Sequence, residues 1–565
     1  MLRPVTERTC RGWCSTLALR QSFSTSNHVV LNMYRPKVQD TKARNSSKPR
    51  KVNLSSKLRS EFAKYKGKVK PIILCKRMEF NFYEGMKYGK FEKIPLASQG
   101  WLNRGSNGDF FSLYEGYMSP NDAHFGHVRL PSSISDILSS PDDKSSVSGF
   151  SLLKIEEDLV QKLNKMNITR PADIQIAAMP HILAGKNCVV SAHTGCGKTL
   201  AYLLPLLQMV SKNVQKEGGV GVPHDSPKLL IVTPSRELAY QIHDVIQKLV
   251  VGLPLTSKLF VGGYSDQGSD DLPQIVDIVV GSLGTIKKKI AKGNINLQRI
   301  QHIVMDEADQ LVDDQNRGQI RGILKKVSIK QVSDDGSDSE HDDQGTQLIL
   351  VSATIPTNLE DLFDNMVDVG SLERITTSYI HDVMRNTPQL FLKVGKIHKG
   401  KTLIDLIEKD VKHNNPVLIF SNTVKTADWV SYQLNDCGYP CKNLTSSVDT
   451  QIRQHLFERF QQKKFNILST TPIVARGLDT VRVKHIINFD FPLYVSEYIH
   501  QIGRVGRIGS SGSCHITNII AHPREVALVQ KIEKSIRLNE KLTAVNANIP
   551  GIVRHRREKL EGVEM

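Results

Sequence analysis

Residues 306–309 read Asp-Glu-Ala-Asp and directly follow the apolar run His302-Ile303-Val304-Met305. Upstream stands Ala192-His193-Thr194-Gly195-Cys196-Gly197-Lys198-Thr199, a glycine-rich run that ends in a cation and a hydroxyl. A strand ending in two adjacent carboxylates can present one oxygen set to Mg2+ and another to water. A glycine-rich turn that opens a helix offers backbone N–H groups and the positive helix terminus to phosphates. Lys198 is then placed to reach the β- and γ-phosphates, and Thr199 to ligate the metal. Either run alone is weak evidence. In this order, each behind an apolar run, they point to nucleotide hydrolysis.

Both pieces must sit at strand ends, and the sequence supplies the strands. Short apolar runs at 188–191, 229–233, 259–261, 278–280, 302–305 and 347–351 alternate with amphipathic helical segments. That alternation predicts a parallel sheet with helices on both faces. A second series begins near residue 387, with strands expected at 417–420, 466–470, 485–489 and 513–519, and it holds no second phosphate loop. Two tandem domains sharing one phosphate loop place the nucleotide at the cleft between them. The acidic tract 333–343 has no periodicity and is expected to be an exposed, disordered loop.

The 565 residues carry a formal net charge of +18, concentrated at the front. Residues 1–70 hold 17 Lys and Arg against Glu7, Asp40 and Glu61, which leaves about +4 for the rest. A basic arm on a nearly neutral body suits a polyanion. The eight cysteines form no CxxC pair, so free thiols in a reducing compartment are expected. No run of apolar residues is long enough to span a membrane. Residues 1–26 contain Arg3, Arg8, Arg11 and Arg20 with Ser and Thr, and Glu7 is their sole acid. This is the composition of a mitochondrial presequence. The basic stretch 27–75 is read as disordered, and the aromatics of 76–128 are expected to pack on the body.

Further signatures complete the series. Phe150, Arg170-Pro171 and Gln175 precede the phosphate loop, Ser352-Ala353-Thr354 follows a strand, and His500-Gln501-Ile502-Gly503-Arg504-Val505-Gly506-Arg507 lies in the second domain. Over roughly residues 150–520 the chain thereby resembles the DEAD-box RNA helicases of superfamily two, motif by motif and in order. The resemblance implies two tandem RecA-like parallel-sheet α/β domains with a disordered basic N-terminal extension. Its division would be a presequence at 1–26, an extension at 27–145, domain one at 146–378, domain two at 387–535 and a tail at 536–565.

It also implies roles. ATP would be held by Phe150, Arg170, Gln175, the loop Ala192 to Thr199, and Asp479 at the ribose; a Gln amide can pair with adenine N6 and N7. Lys198, Asp306, Glu307, Arg504 and Arg507 would carry hydrolysis, with Mg2+ on Thr199 and Asp306. Asp309, Ser352, Thr354 and His500 would couple it to RNA. The RNA groove would use Pro234, Arg236, Gly262, Gly263, Gly284, Gln451, Arg453 and Thr471. The chain departs from the pattern at three positions: Thr285 and Gln501 each replace an Arg, and Pro472 replaces an Asp. These bear on RNA affinity and coupling more than on ATP binding.

The run Pro95-Leu96-Ala97-Ser98-Gln99-Gly100-Trp101 resembles a stretch in mitochondrial DEAD-box helicases associated with large ribosomal subunit assembly. The expected protein is thus an ATP-dependent RNA helicase of the mitochondrial matrix. Its partners would be ribosomal RNA and ribosome-assembly proteins, and its core would be monomeric. The alternative location is nuclear or nucleolar, through the basic segment. The alternative function is an RNA-binding assembly factor that no longer unwinds.

Overall fold

The computed structural model describes residues 71–114 and 149–545, except 90–91, 218–225, 263–274, 331–344, 356–358, 364–365, 378–379, 385–386, 476–477, 479, 508–509, 511–512 and 544. The presequence, the basic arm to residue 70, the acidic tract, Gly263, Asp479 and the segment beyond 545 lie outside the described residues.

Three strands open the described chain: β1 (Pro71–Cys75), β2 (Phe82–Tyr83) and β3 (Phe110–Leu113). The first sheet then follows with β4 (Cys188–Ser191), β5 (Leu229–Thr233), β6 (Ser257–Phe260), β7 (Ile278–Ser282), β8 (His302–Asp306), β9 (Gln347–Ser352) and β10 (Glu373–Thr376). Its spatial order is β10-β4-β9-β8-β5-β7-β6, and every pairing is parallel. β4, β5, β8 and β9 are buried along their whole length, as β-branched runs covered on both faces should be. The chain leaves β4 and reaches β5 across β9 and β8, so the strand order reverses at β4, where α/β sheets bind ligands. Register finishes the alignment. Ser191 pairs with Ser352, and Val351 pairs with Asp306, so three motif-bearing strands end at one edge.

The second sheet contains β11 (Gln389–Lys393), β12 (Val417–Phe420), β13 (Cys441–Leu444), β14 (Ile467–Thr470), β15 (His485–Asn488) and β16 (His515–Ile520). The order β13-β14-β12-β15-β16-β11 is parallel, and β3, β1 and β2 extend it beyond β11 as antiparallel neighbours.

The N-terminal extension therefore contributes to the second domain. Pro71–Cys75, read as part of a disordered stretch, is a strand because Ile72-Ile73-Leu74 gives it an apolar run to bury. Phe80, Phe82, Tyr83, Trp101 and Phe111 are buried, and Phe111 stacks on Phe391 of β11 with ring centroids 4.6 Å apart. Ala97 and Ser98 are anchored by Glu533 in the helix Pro523–Leu538. Its Oε1 accepts from the Ala97 amide at 2.8 Å, and its Oε2 from the Ser98 amide and hydroxyl at 3.0 and 2.6 Å. Arg537, one turn on, neutralises Glu533 at 2.7 Å and reaches the Phe80 carbonyl at 2.6 Å.

Candidate functional site

The phosphate loop leaves β4 and enters the helix Lys198–Glu217. Gly195 and Gly197 have φ of +81° and +90°, a region that a side chain with Cβ occupies only under strain. Lys198 donates from Nζ to the carbonyls of Ala192 at 2.6 Å and His193 at 2.8 Å. Gln175 is buried beneath the loop. Its Nε2 donates to the Gly197 carbonyl at 3.0 Å and its Oε1 accepts from the Ala172 amide at 2.9 Å. Gln175 thus braces the loop. Phe150 is fully buried in the first domain's core, while Arg170 is exposed three residues before the helix Asp173–Leu183 that carries Gln175.

Asp306 ends β8, and Glu307 begins the turn into the helix Ala308–Leu311. Glu307 adopts a left-handed conformation, φ 52° and ψ 47°. Asp306 is buried; its Oδ2 accepts from Tyr202 at 2.9 Å and its Oδ1 from the Glu307 amide at 2.8 Å. Burial, aided by the Glu307 charge, raises its pKa to about 6. Burial and Asp306 together push the Tyr202 phenol well above its usual range, so it remains a donor. A buried carboxylate held by only two donors, beside the Thr199 hydroxyl's helix, suits a divalent cation that would offset its desolvation.

The second domain meets these residues directly. Arg504 Nη2 lies 3.5 Å from Glu307 Oε1, and Arg504 and Arg507 both donate to the Leu478 carbonyl, at 3.3 and 3.1 Å. A Cβ added to Gly195 would fall 2.7 Å from Arg507 Cγ, and one added to Gly503 would fall 1.3 Å from Thr194 Oγ1. Glycine is what lets loop and helix terminus touch.

His500 Nε2 lies 3.2 Å from Asp309 Oδ2, which accepts from the Thr354 hydroxyl at 2.6 Å and its amide at 3.2 Å. Ser352 donates to the Thr354 carbonyl at 2.5 Å and bonds Ser191 at 3.0 Å. A buried polar chain therefore runs from the second domain to the strand that carries the phosphate loop. All four residues expected to couple the domains belong to it.

Of the expected RNA residues, Pro234, Arg236 and Arg453 line a groove between the domains, together with Thr450 and Val474. Gly262 lies beside Arg236 and Thr285, Gly284 has open space around it, Gln451 is exposed and Thr471 is buried. Arg236 and Arg453 tie the domains together. Arg236 donates to Thr450 Oγ1 at 2.9 Å, and Arg453 pairs with Glu237 at 2.9 Å. Arg453 is buried, which places its guanidinium in the domain contact. Pro472 opens the four-residue helix Pro472–Ala475, where its missing N–H costs no bond.

Sequence reasoning missed Tyr202, Thr450 and Ser191. Tyr202 had a signal: it stands four residues after Lys198 on one helix face. The others are partners across folded contacts and have none. Among the described residues Asp410, His485 and His515 form a cluster of metal-ligating types. Both nitrogens of His485 are already bonded, to Asp410 Oδ2 at 2.6 Å and Thr517 Oγ1 at 2.9 Å, and its ring stacks on His515 at 3.9 Å. The cluster braces the strand starts, at the sheet edge opposite the cleft.

Residues 172–362 match the DEAD/DEAH box helicase family, and residues 398–509 match the helicase conserved C-terminal domain. The chain is 30% identical over 494 residues to the probable ATP-dependent RNA helicase DDX28 of Homo sapiens, covering 85% of this chain and 86% of that one. Its fold is similar to S. cerevisiae Dbp5 bound to RNA and ADP BeF3, with TM-score 0.56, 24% identity, and coverage of 74% of this chain and 100% of that one. It is also similar to the DEAD-box helicase Mss116 bound to ssRNA and UDP-BeF, with TM-score 0.59, 21% identity, and coverage of 71% and 80%.

Proposed function

The chain belongs to the DEAD-box ATP-dependent RNA helicases, enzymes that hydrolyse ATP, and from that membership we propose how its own residues do so and on which RNA. One observation carries the reading: Arg504 and His500 of the second domain reach Glu307 and Asp309 of one four-residue run. Nucleotide bound at the phosphate loop lies under that contact. Lys198 holds the β- and γ-phosphates, and Gln175 keeps the loop in shape while its amide neighbours the adenine. Glu307 orients the attacking water and takes its proton. Arg504 and Arg507 close on the γ-phosphate and stabilise the charge that develops there. Thr199 and Asp306 would hold Mg2+, which neutralises phosphate charge when bound.

RNA lies along Pro234, Arg236, Gly262, Gly284, Gln451 and Thr471. The chain from His500 through Asp309, Thr354 and Ser352 to Ser191 makes closure on RNA and closure on ATP one event. Binding opens short duplexes locally, and hydrolysis releases the strand. The substrate is ribosomal RNA in the mitochondrial matrix, during ribosome assembly. Support comes from the Arg-rich first 26 residues and from the run Pro95 to Trp101. The test has two arms. Purified protein should hydrolyse ATP faster with single-stranded RNA than without it. Crosslinking in isolated mitochondria should recover large-subunit ribosomal RNA; recovery only from nuclear fractions would overturn the location.

A further inference from the structure

Pro472 and Gln501, the two positions at which the second domain departs from the DEAD-box pattern, line the same small cavity. Its other walls are Phe420, Ala475, Glu497, His500 and Arg504, and its volume is only about 10 Å³. Gln501 is 2% exposed, and neither its Oε1 nor its Nε2 finds a partner among the described residues. Nδ1 of His500 is buried without one as well. The pattern at these positions is an acid and a base. Each departure removes one charge, of opposite sign, from the lining of one small cleft.

We propose that Pro472 and Gln501 are a single compensated exchange, a neutral pair standing where an Asp–Arg pair would be, so that neither charge can be restored alone. It rests on the closing role given above to Arg504 and His500. An Arg at 501 alone would add a cation beside Arg504 and His500, facing a proline. An Asp at 472 alone would offer Arg504 a second carboxylate and draw it away from Glu307. A buried charge without its partner is costly, so either charge restored alone would stand uncompensated. Glu497, one turn before Gln501 on the same helix, is the other carboxylate that could receive a new cation. Gln501 is accordingly a positioning residue: it sets the electrostatics around two groups that close on the nucleotide.

The test is a double-mutant cycle in the full chain with Gln501→Arg, Pro472→Asp and the two combined, read by RNA-stimulated kcat, KM for ATP and thermal midpoint. Each single variant should lose at least tenfold in kcat with KM for ATP changed by less than about threefold. The double variant should return to within about threefold of the unsubstituted protein. Single losses that simply multiply in the double variant would overturn the proposal. So would a rate increase in Gln501→Arg alone, which would mean that Glu497 takes the cation. Where a single variant does not fold, the midpoints decide: a double variant no more stable than the worse single one refutes the pairing. RNA-stimulated hydrolysis by the unsubstituted protein tests the underlying reading separately.

Discussion

Glu307 holds a left-handed backbone conformation at the end of β8, a region that costs a non-glycine residue on the order of 1–2 kcal/mol. Strain of this kind persists where the surroundings enforce it, and here it sits between two carboxylates for which two separate tasks are proposed. That division gives a prediction. Lys198→Ala removes the loop cation, so ATP affinity should fall at least tenfold in a direct binding titration. Glu307→Gln keeps size and hydrogen bonding but removes the base. It should bind ATP within about threefold of the unsubstituted protein while hydrolysis falls by 10²-fold or more. Equal loss of binding in both variants would reverse the role assignments. Lys198, Asp306 and Glu307 were legible in the sequence because their chemistry depends on neighbours in the chain. Arg453 was not. The resemblance gave it as an RNA contact, and the fold buries it against Glu237.

At the scale of elements, the strands that carry motifs could be read because continuous β-branched runs announce buried parallel strands. β1 to β3 could not be placed that way. Their partner β11 lies on the far side of the whole first domain in sequence, and nothing local names it. The run Pro95 to Trp101 has a physical account in the fold: it fastens the extension to the helix Pro523–Leu538 through Glu533. Glu533→Ala would strand Arg537, whose side chain is fully buried, at a cost of roughly 3–5 kcal/mol. Amide exchange at Ile73 and Ser112 should accelerate by at least 10²-fold, with β4 and β9 unaffected; uniform acceleration would refute the local anchor. In the first sheet, burial holds His302 neutral, with its pKa lowered from 6.5 to about 4. The unfolded chain therefore takes up the proton first as pH falls. Stability from this group is full above pH 6.5 and is lost toward pH 4, by about 2 kcal/mol between pH 7 and 5. His302→Asn should remove most of that difference in urea unfolding of the first domain. An unchanged pH dependence would assign the loss to other groups.

For the whole molecule, the chain passes from the second domain's sheet edge through the first domain and back, so two covalent crossings join the domains. Besides Arg504–Glu307 and His500–Asp309, two further kinds of contact join them. Arg236 and Arg453 make polar ties at the groove, and the helix Val495–Ile502 ends against the phosphate loop. The second kind depends on glycine. Gly503 has an ordinary helical φ of −70°, so alanine there is acceptable to the backbone; an added Cβ would lie 3.2 Å from the Ile499 carbonyl, and its severe obstacle is Thr194 in the opposite domain. Gly503→Ala should therefore leave each domain folded and keep them apart. Its thermal midpoint should stay within about 3 °C, an ordinary range for a change of under 1 kcal/mol in a domain of this size. ATP binding to the loop should persist, because Lys198 and Gln175 belong to the first domain alone. RNA-stimulated hydrolysis should fall at least tenfold, since Arg504 and Arg507 cannot close on the γ-phosphate while the helix terminus is held off. Adding Thr194→Ser removes the methyl group but leaves Oγ1 in place and should not rescue, whereas Thr194→Gly removes the obstacle and should restore part of the rate. If Gly503→Ala alone hydrolyses ATP normally with RNA, the contact between loop and helix terminus is not the closed, working geometry.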